Sequence, residues 1–325
     1  MVAANGTSTK AAWLDGLQDD LHLLEGKMLE ASSMGHETLD GAVQMIIKAG
    51  GKRLRPAITF LVGRLFRANF SPILSVGASV ELLHTATLVH DDLIDGAAER
   101  RGVPTLHSKM SMGVTVLTGD FLFAKAAALA AEANSVPVVK LFADTLVKIC
   151  QGEILQARTR WVLPDYDVYI ERIYGKTAAL FEAAAVSAAL IGDATDAQVA
   201  AMARYGRNLG LAFQIVDDAL DFVSTSENLG KPAGNDMRQG ILNLPAMYYV
   251  EQGYISDADL LERLESKDET EKLVREMRAS GMVEQSLEVA QSYARKAADA
   301  LNILPGGEVL KALDAVTSYA VARTI

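Results

Sequence analysis

Apolar residues recur at three- and four-residue spacings along nearly the whole chain, which is the period of an amphipathic α-helix. Alanine is abundant, and no Asn-Gly or Asp-Gly pair lies between alternating runs, so hairpin signals are weak. The pattern therefore predicts an all-α protein. We expect helices at roughly 10–31, 38–49, 54–68, 72–96, 110–133, 135–159, 166–191, 195–223 and 241–252, with shorter, more charged helices from 256 onward.

The loops between these helices are short and punctuated by glycine and proline. They fall at 50–56, 101–105, 161–167 and 227–240, and none has the length or composition of an interdomain linker. Although 325 residues would suffice for two average domains, we predict one helical domain over 1–325. Its motifs lie at about 40–250, and the helices of 256–325 complete the bundle.

Composition narrows the class of protein further. Half the residues are apolar and 22% are charged, which suits a large packed core, and the net charge of −10 argues against nucleic-acid binding. The single cysteine, Cys150, excludes an internal disulfide framework and fits a reducing compartment. The longest apolar stretch, 177–192, is interrupted by Glu182 and too short to cross a bilayer. With no apolar core of signal type at the N-terminus, we expect a cytoplasmic protein without a membrane span.

Two acidic clusters end strongly apolar helices: "DDLID" at 91–95 and "DDALD" at 217–221. In each, the first and last aspartates lie about 40° apart around the helix, and the middle one lies about 100° from the first. If the two helices face each other, their carboxylates repel unless cations intervene, and Mg²⁺ binds through a few carboxylates plus substrate phosphates. A solvated acidic helix end would explain one cluster more readily than two. The predicted metal ligands are Asp91, Asp92, Asp95, Asp217, Asp218 and Asp221.

Basic residues cluster near the first acidic motif. The segment "GGKRLRP" at 50–56 joins a flexible glycine pair to Lys52, Arg53 and Arg55, which favours an anion site, although a basic surface turn is the alternative. It lacks the spacing of a P-loop. Arg100 and Arg101 follow Asp95 closely and could bind the same phosphate or form salt bridges with the aspartates.

Other polar residues lie on the faces of apolar helices. His84 precedes Asp91 by two turns and could donate a hydrogen bond to a ligand, although a lone helical histidine is more often structural; we interpret His90 and His107 as structural. Lys176 and Thr177 follow Gly175 in an apolar helix, where a lysine is unusual unless its head group meets an anion. Gln214 shares a face with Asp218, and Lys231 lies on the loop after the second cluster.

These segments resemble the trans-prenyltransferases, or polyprenyl diphosphate synthases. The similarity runs from about residue 40 to 250 and rests on "GGKRLRP", "HDDLIDGAAERRGVPTLH", "GKTAALF", "FQIVDDALDF" and "LGKPAGNDMRQGILNLP" in the family's order. It implies a helical bundle around a deep central cavity, of the isoprenoid synthase type, in a homodimer.

The resemblance also implies a role for each matching residue. The aspartates would hold several Mg²⁺ ions that bridge to an allylic diphosphate, with Asp92 and Asp218 in support. The residues contacting that diphosphate would be Arg100, Lys176, Gln214 and Lys231, with Thr177 near the reacting carbon; Lys176, Thr177 and Gln214 form the predicted catalytic set. The residues binding isopentenyl diphosphate would be Lys52, Arg55, His84 and Arg101.

The implied reaction needs no nucleophilic side chain. Cations neutralise the leaving diphosphate, the allylic C–O bond ionises, and the double bond of isopentenyl diphosphate attacks the carbocation. A proton then leaves, to the released diphosphate, and an apolar cavity keeps water from quenching the cation.

By the same resemblance, the residues four and five positions before the first aspartate limit product length. Here Thr87 and Ala86 are small, so the pocket should continue towards Leu83, and we expect a lipophilic product longer than C15, at C20 or beyond and more readily C30 or longer. Three positions depart from the family's pattern, where lysines and a threonine are usual: Asn235, Ile241 and Asn243. One ligand of the diphosphate could therefore be missing, and Arg238 could take its place.

Three alternatives are open from the sequence. Another class I terpenoid synthase would ionise a prenyl diphosphate without adding isopentenyl diphosphate, but the intact 50–56 segment and Arg101 argue against it. A partner subunit of a heteromeric synthase would typically lack some of the aspartates, and all six are present here. A carboxylate-bridged metal protein of the helix-bundle type would carry Glu-x-x-His pairs, which the key segments lack.

Overall fold

The computed structural model describes residues 12–223 and 233–322. They form two compact units, each assembled from three separate parts of the chain. The first unit contains the chain up to Ala143, Ala183–Ala200 and Leu304–Val316. The second contains Asp144–Glu182, Ala201–Ile303 and the chain from Thr317. A single domain with a central cavity stays a prediction.

The first unit holds the N-terminal helices and one small hairpin. Its helices are α1 (Ala12–Asp15), α2 (Gln18–Ala31), α3 (Glu37–Lys48), α4 (Leu54–Leu65), α5 (Phe70–Ile94), α6 (Leu106–Lys109) and α7 (Met112–Ala131). The hairpin pairs β1 (Glu99–Arg100) antiparallel with β2 (Val103–Pro104). Four helices have residues in both units: α8 (Val136–Arg158), α10 (Ala179–Ile191), α11 (Asp196–Asp221) and α17 (Glu308–Val321).

The centre of the first unit is α5, which packs against α2, α4 and α7. A helix that is apolar on nearly all sides must be covered on all sides, and residues 73–92 of α5 are mostly buried. Each fully buried large aliphatic side chain, such as Leu82 or Leu83, stabilises the fold by about 1.5–3 kcal/mol. The hydroxyl of Ser79 donates to the carbonyl of Ala126 at 2.7 Å and pins α5 to α7. This packing fixes the helix that ends in the first aspartate cluster.

The second unit contains α9 (Tyr166–Ile173), a π-helical turn (Tyr174–Ala178), α12 (Asn235–Arg238), α13 (Leu244–Glu251), α14 (Asp257–Leu264), α15 (Lys267–Ala279), α16 (Met282–Ala300) and a 3₁₀ turn (Leu301–Ile303). Here α13 and α15 pack against α16, and α14 packs against α15. A buried cluster that includes Phe222, Leu242 and Leu273 ties these helices to the end of α11. The second aspartate cluster is therefore also held by a packed core.

The all-α prediction is confirmed, and most predicted helices agree with the structure to within a few residues. Two local features differ. The predicted helix 166–191 is interrupted by the π turn at Tyr174–Ala178, and the predicted loop at 101–105 carries part of the hairpin. The first two residues of the predicted 10–31 helix lie outside the described part of the chain, and the rest divides into α1 and α2.

Among the described residues, α5 and α7 are long and apolar enough to span a bilayer by length and composition. The apolar window of α5 is 72% buried, as expected of a core helix, whereas that of α7 is only 39% buried. Met112, Val116 and Leu117 form an exposed apolar face at the start of α7. This face lacks cover within its own unit.

Candidate active site

The aspartate clusters lie at the C-terminal ends of α5 and α11, one in each unit. Both have the same burial pattern: the middle aspartates, Asp92 and Asp218, are only 6% and 4% exposed. The outer aspartates are partly exposed, namely Asp91, Asp95, Asp217 and Asp221. The angular offset expected from the sequence thus separates two kinds of carboxylate, one structural and one accessible to a ligand.

Asp92 is held by the hairpin that follows α5. The Nε atom of Arg100 donates to its Oδ1 atom at 2.6 Å, and the backbone N–H of Ala97 donates to its carbonyl at 2.9 Å. Of the two interpretations of Arg100, the salt bridge to an aspartate is the one present here. Contact between Arg100 and a diphosphate stays a prediction.

In the glycine-rich segment before α4, arginine side chains lie next to main-chain atoms. A methyl group on Gly51 would lie 2.8 Å from Nη1 of Arg101, so the guanidinium of Arg101 packs directly against the backbone of Gly51. Arg53 adopts a left-handed backbone conformation (φ 48°). Its guanidinium donates to Oε1 of the buried Glu81 at 2.7 Å and to the carbonyl of Ile47 at 2.6 Å. This ion pair fixes the segment that carries Lys52 and Arg55.

His84 lies among these arginines. Burial, followed by the charges of Arg55, Arg101, Arg100 and Arg53, lowers the pKa of His84 well below its ordinary value. The imidazole is therefore neutral at physiological pH. The structure thus brings together three of the four residues predicted to bind isopentenyl diphosphate. Lys52, the fourth, is exposed.

The residues predicted to control product length lie one to two turns before the first aspartate cluster. Leu83 and Ala86 are fully buried, and Thr87 is partly exposed. The hydroxyl of Thr87 donates to the carbonyl of His84 at 2.8 Å, which removes a donor from the surface it presents. Ala86 is the smallest of the three side chains, so a larger residue there would intrude on whatever space α5 lines.

In the second unit a chain of hydrogen bonds links the predicted catalytic residues to Asp218. The hydroxyl of Thr177 donates to Oε1 of Gln214, and the amide of Gln214 donates to Oδ1 of Asp218, both at 2.7 Å. The buried hydroxyl of Tyr169 donates to Oδ2 of Asp218, also at 2.7 Å. Burial, reinforced by the charge of Asp236, raises the pKa of Asp218 to about 7, although these hydrogen bonds oppose the shift.

Close backbone contacts position the π turn that carries Lys176 and Thr177. A methyl group on Gly175 would lie 2.7 Å from the carbonyl oxygen of Lys148 and 2.9 Å from Cα of Gly152, both on α8. A methyl group on Gly210 of α11 would lie 2.5 Å from Cα of Ala178. Gln214 is one turn beyond Gly210 on the same face of α11, so the approach at Gly210 brings Gln214 to Thr177. π turns are rare and often occur at functional positions.

Lys176 meets the anion that its apolar setting requires. Its ammonium group lies 2.6 Å from Oε1 of Glu153 on α8, and both side chains are about three-quarters buried. This partner was not predicted, because the two residues are far apart in sequence. A diphosphate would have to share or replace Glu153 to bind Lys176.

A further acid, Asp236, joins the second cluster. Its backbone N–H donates to Oδ2 of Asp221 at 3.0 Å, and its own Oδ2 accepts from the amide of Asn243 at 2.8 Å. Sequence reasoning missed Asp236, as well as the buried Tyr169 and Arg172. A charged residue one turn before Lys176 in an apolar helix was the available signal for Arg172.

Arg238, which the sequence suggested as a replacement ligand of the diphosphate, contacts other protein groups here, and the suggested role stays a prediction. Its Nη2 donates to Oε1 of Glu271 at 3.3 Å and to the carbonyl of Ala233 at 3.4 Å. It lines a cavity of about 940 Å³ whose walls include Trp161, Leu261 and Leu264. Apart from Arg238, the cavity is lined by none of the residues predicted for the site, so its size alone does not make it the active site. Lys231 lies outside the described residues.

The carboxylates fit a hard divalent cation bound together with its substrate. Within 12–223 and 233–322, no group of three or more His, Cys, Asp or Glu side chains is arranged to hold a metal by itself. Mg²⁺ commonly binds through one or two carboxylates and completes its shell with water and phosphate oxygens. The outer aspartates are partly exposed and supply such donors, whereas Asp92 and Asp218 are buried.

Helices that end in partly exposed aspartates, together with an arginine-lined histidine, are features of a helical enzyme that acts on diphosphate esters. Comparison with known proteins shows the family of this chain. The sequence pattern of the polyprenyl synthetase family matches residues 36–280. A prenyl transferase from Synechocystis sp. is 36% identical over 312 residues, which cover 94% of this chain and 96% of the relative. Component 2 of the heptaprenyl diphosphate synthase of Bacillus subtilis is 32% identical over 305 residues, covering 93% and 88%.

Among solved structures, a polyprenyl synthase from Caulobacter crescentus CB15, complexed with calcium and isoprenyl diphosphate, is similar with a TM-score of 0.90. It is 34% identical, and the match covers 96% of this chain and 97% of that one. The chain belongs to the polyprenyl synthetase family. The family resemblance and the prediction of a prenyl-transferring enzyme are confirmed.

Proposed function

We propose that this enzyme joins an allylic diphosphate to isopentenyl diphosphate, repeatedly and with Mg²⁺, to make an all-trans polyprenyl diphosphate. The observation that carries the proposal is the arginine cluster around His84, beside the first aspartate cluster in the same unit. Arg55 and Arg101 offer forked donors that suit phosphate oxygens, and the neutral imidazole of His84 can donate one hydrogen bond to the same anion. This is a binding site for isopentenyl diphosphate.

On this proposal the outer aspartates, Asp91, Asp95, Asp217 and Asp221, hold the metal with the allylic diphosphate. When bound, the metal neutralises the leaving diphosphate so that the C–O bond can ionise. Divalent-metal use is supported by the calcium in the Caulobacter structure; Mg²⁺ itself is proposed from the donor chemistry. Arg100, Lys176, Gln214 and Lys231 contact the same diphosphate.

Thr177 lies near the reacting carbon, and Gln214, which contacts the diphosphate, lies beside it. Their mutual hydrogen bond fixes both side chains before substrate arrives. Because neither acts as a nucleophile, their contribution is orientation and exclusion of water, which keeps the carbocation from reacting with solvent. The proton released in the final step goes to the departing diphosphate.

The product is longer than C15, which agrees with relatives named heptaprenyl, octaprenyl and solanesyl diphosphate synthases. Other similar proteins are named short-chain isoprenyl diphosphate synthase and geranylgeranyl pyrophosphate synthetase. We propose C30 or longer, because Ala86 and Thr87 leave the lining of α5 small before the buried Leu83.

We propose a homodimer in the cytoplasm. The exposed apolar face of α7, with Met112 and Leu117 about 70% exposed, would be covered by a second copy. The first half of α8 adds Val136 and Val139 to the exposed apolar surface of that unit. A single cysteine suits a reducing compartment. Sedimentation at several protein concentrations tests the dimer, and Leu117→Asp should shift it towards monomer.

The proposal is tested with the purified chain, labelled isopentenyl diphosphate, and geranyl, farnesyl or geranylgeranyl diphosphate as primer. Mass analysis should show polyprenyl diphosphates of C30 or longer that depend on Mg²⁺ and disappear with chelator. Arg101→Met should raise the KM for isopentenyl diphosphate far more than that for the primer, whereas Asp91→Asn should abolish turnover. Ionisation of the primer without incorporation of label would instead identify a terpenoid synthase that does not add isopentenyl diphosphate.

A second candidate function is the catalytic or partner subunit of a heteromeric synthase. The observation in its favour is the similarity to component 2 of the Bacillus subtilis heptaprenyl diphosphate synthase. Activity of the chain alone would exclude a requirement for another subunit. If the chain is inactive alone, a second component recovered from its native source should restore the product.

A further inference from the structure

We propose that Arg172 and Asn243 are positioning residues that hold the second acidic cluster in its metal-binding arrangement. The inference rests on the proposed function, since it concerns how that cluster is prepared for a divalent cation. Neither residue is one of the proposed metal ligands. Both act through Asp236 and its neighbour Asp221.

The contacts form a continuous path within the second unit. Nη2 of Arg172 donates to Oδ1 of Asn243 at 2.7 Å and to the carbonyl of Leu242 at 2.8 Å. The amide nitrogen of Asn243 donates to Oδ2 of Asp236 at 2.8 Å. The backbone N–H of Asp236 then donates to Oδ2 of Asp221 at 3.0 Å. Three hydrogen bonds in sequence therefore connect a buried guanidinium to an outer aspartate.

Burial makes this path stiff. Arg172 and Asn243 are each 2% exposed, so neither side chain can exchange its partners for water. An asparagine amide offers an acceptor and a donor at a fixed separation. Oδ1 accepts from Arg172 while Nδ2 donates to Asp236, which fixes the orientation of the amide and of both partners. A side chain lacking either group would leave a buried polar atom unsatisfied.

Charge gives Arg172 a second function. Asp218 and Asp236 place two carboxyl groups near each other in the same unit, and the charge of Arg172 acts on Asp218 in the opposite sense to Asp236. The guanidinium also lies over the ring of Tyr169, 5.4 Å from its centroid, and Tyr169 bonds Asp218. A resident buried cation therefore opposes repulsion within the acidic cluster before any metal binds.

The test measures metal binding directly. Mn²⁺ is titrated into the full-length protein with inorganic diphosphate present, and free Mn²⁺ is followed by electron paramagnetic resonance. Asn243→Ala should weaken Mn²⁺ binding by about tenfold or more, the range seen when residues that orient metal ligands are replaced. Asn243→Thr keeps one donor–acceptor atom and should fall between Ala and the wild type. The matched control is Asn208→Ala, because Asn208 is a partly exposed asparagine on α11, more than two turns before Asp217, whose side-chain amide donates to the carbonyl of Arg204.

A purely structural role would lower thermal stability without changing Mn²⁺ affinity in the folded protein. The KM for isopentenyl diphosphate should stay at the wild-type value in each variant, because its proposed residues belong to the first unit. If Asn243→Ala does not fold, Arg172→Lys gives the same readout, since lysine keeps the charge but lacks the fork. If a folded variant binds Mn²⁺ as tightly as the wild-type protein does, this inference is wrong. The proposed function is unaffected by that result as long as the wild-type protein transfers prenyl groups. A wild-type chain that neither binds Mn²⁺ nor transfers prenyl groups overturns both.

Discussion

Replacing Gly175 with alanine should slow prenyl transfer by disturbing the π turn that carries Lys176 and Thr177. The added methyl group would lie 2.7 Å from the carbonyl oxygen of Lys148, whereas ordinary contact begins at 3.4 Å. The two backbones must therefore separate by about 0.7 Å (3.4 less 2.7). Overpacking of this kind costs about 1–3 kcal/mol of unfolding free energy.

The displacement of the π turn should slow prenyl transfer, because Thr177 on this turn is joined to Gln214 by a hydrogen bond of 2.7 Å. A displacement approaching 1 Å at a reacting group can lower the rate by about 100-fold. We expect kcat of Gly175→Ala to fall by about 10- to 100-fold, measured by incorporation of labelled isopentenyl diphosphate, and urea unfolding to show the loss of stability.

The matched control is Gly26→Ala in α2, where an added methyl group meets nothing within 4 Å. Alanine in an exposed helix interior is favoured over glycine by about 1 kcal/mol, so this variant should be slightly more stable and fully active. If Gly175→Ala loses stability but keeps wild-type kcat, the π turn does not position the catalytic residues and the reasoning is refuted.

Three further predictions concern other parts of the site. Ala86→Phe should shorten the products seen by mass analysis, and an unchanged product distribution would contradict the proposed lining of α5. Glu81→Leu leaves the guanidinium of Arg53 buried without its carboxylate, so denaturant unfolding should show a loss of about 3–5 kcal/mol. Glu30→Leu, at an exposed position on α2, should not show this loss. The pKa of Asp218 is raised from 3.8 to about 7 on folding, so its stabilising contribution is complete below about pH 4 and is lost as pH rises through 7. In chelator the unfolding temperature should therefore decrease as the pH is raised from about 4 to 7, and Asp218→Asn should make it depend less on pH.

The helices could be predicted because their signal is local. Apolar residues at three- and four-residue spacings predict a helix wherever a packed core can cover its apolar face. Helices α5 and α11 agree with the predicted helices to within two residues at each end. The two aspartate clusters could likewise be predicted, because each depends only on residue spacing within one helix. The sequence could not predict which member of each cluster would be covered, because that depends on Arg100 in one unit and Tyr169 in the other.

The unpredicted features all depend on distant parts of the chain. Lys176 was recognised as needing an anion, but Glu153 supplies it from another helix. The π turn requires Gly175 to meet Gly152, and periodicity within one segment contains no information about that contact. Asn243 suggested a missing phosphate ligand because its residue type was compared with a pattern, whereas its amide is committed to Arg172 and Asp236.

The way the first unit is assembled has a consequence for how the protein folds during synthesis. Residues Leu304–Val316, with Leu313 and Val316 fully buried, belong to the same unit as the N-terminal helices. The ribosome must therefore translate nearly the entire chain before that unit can fold completely. Until then, the apolar surface that those residues would cover is exposed and can aggregate. Nascent chains should accordingly depend on chaperones until translation ends, and a stop codon before Leu304 should send the product to proteolysis instead of leaving a shorter stable protein.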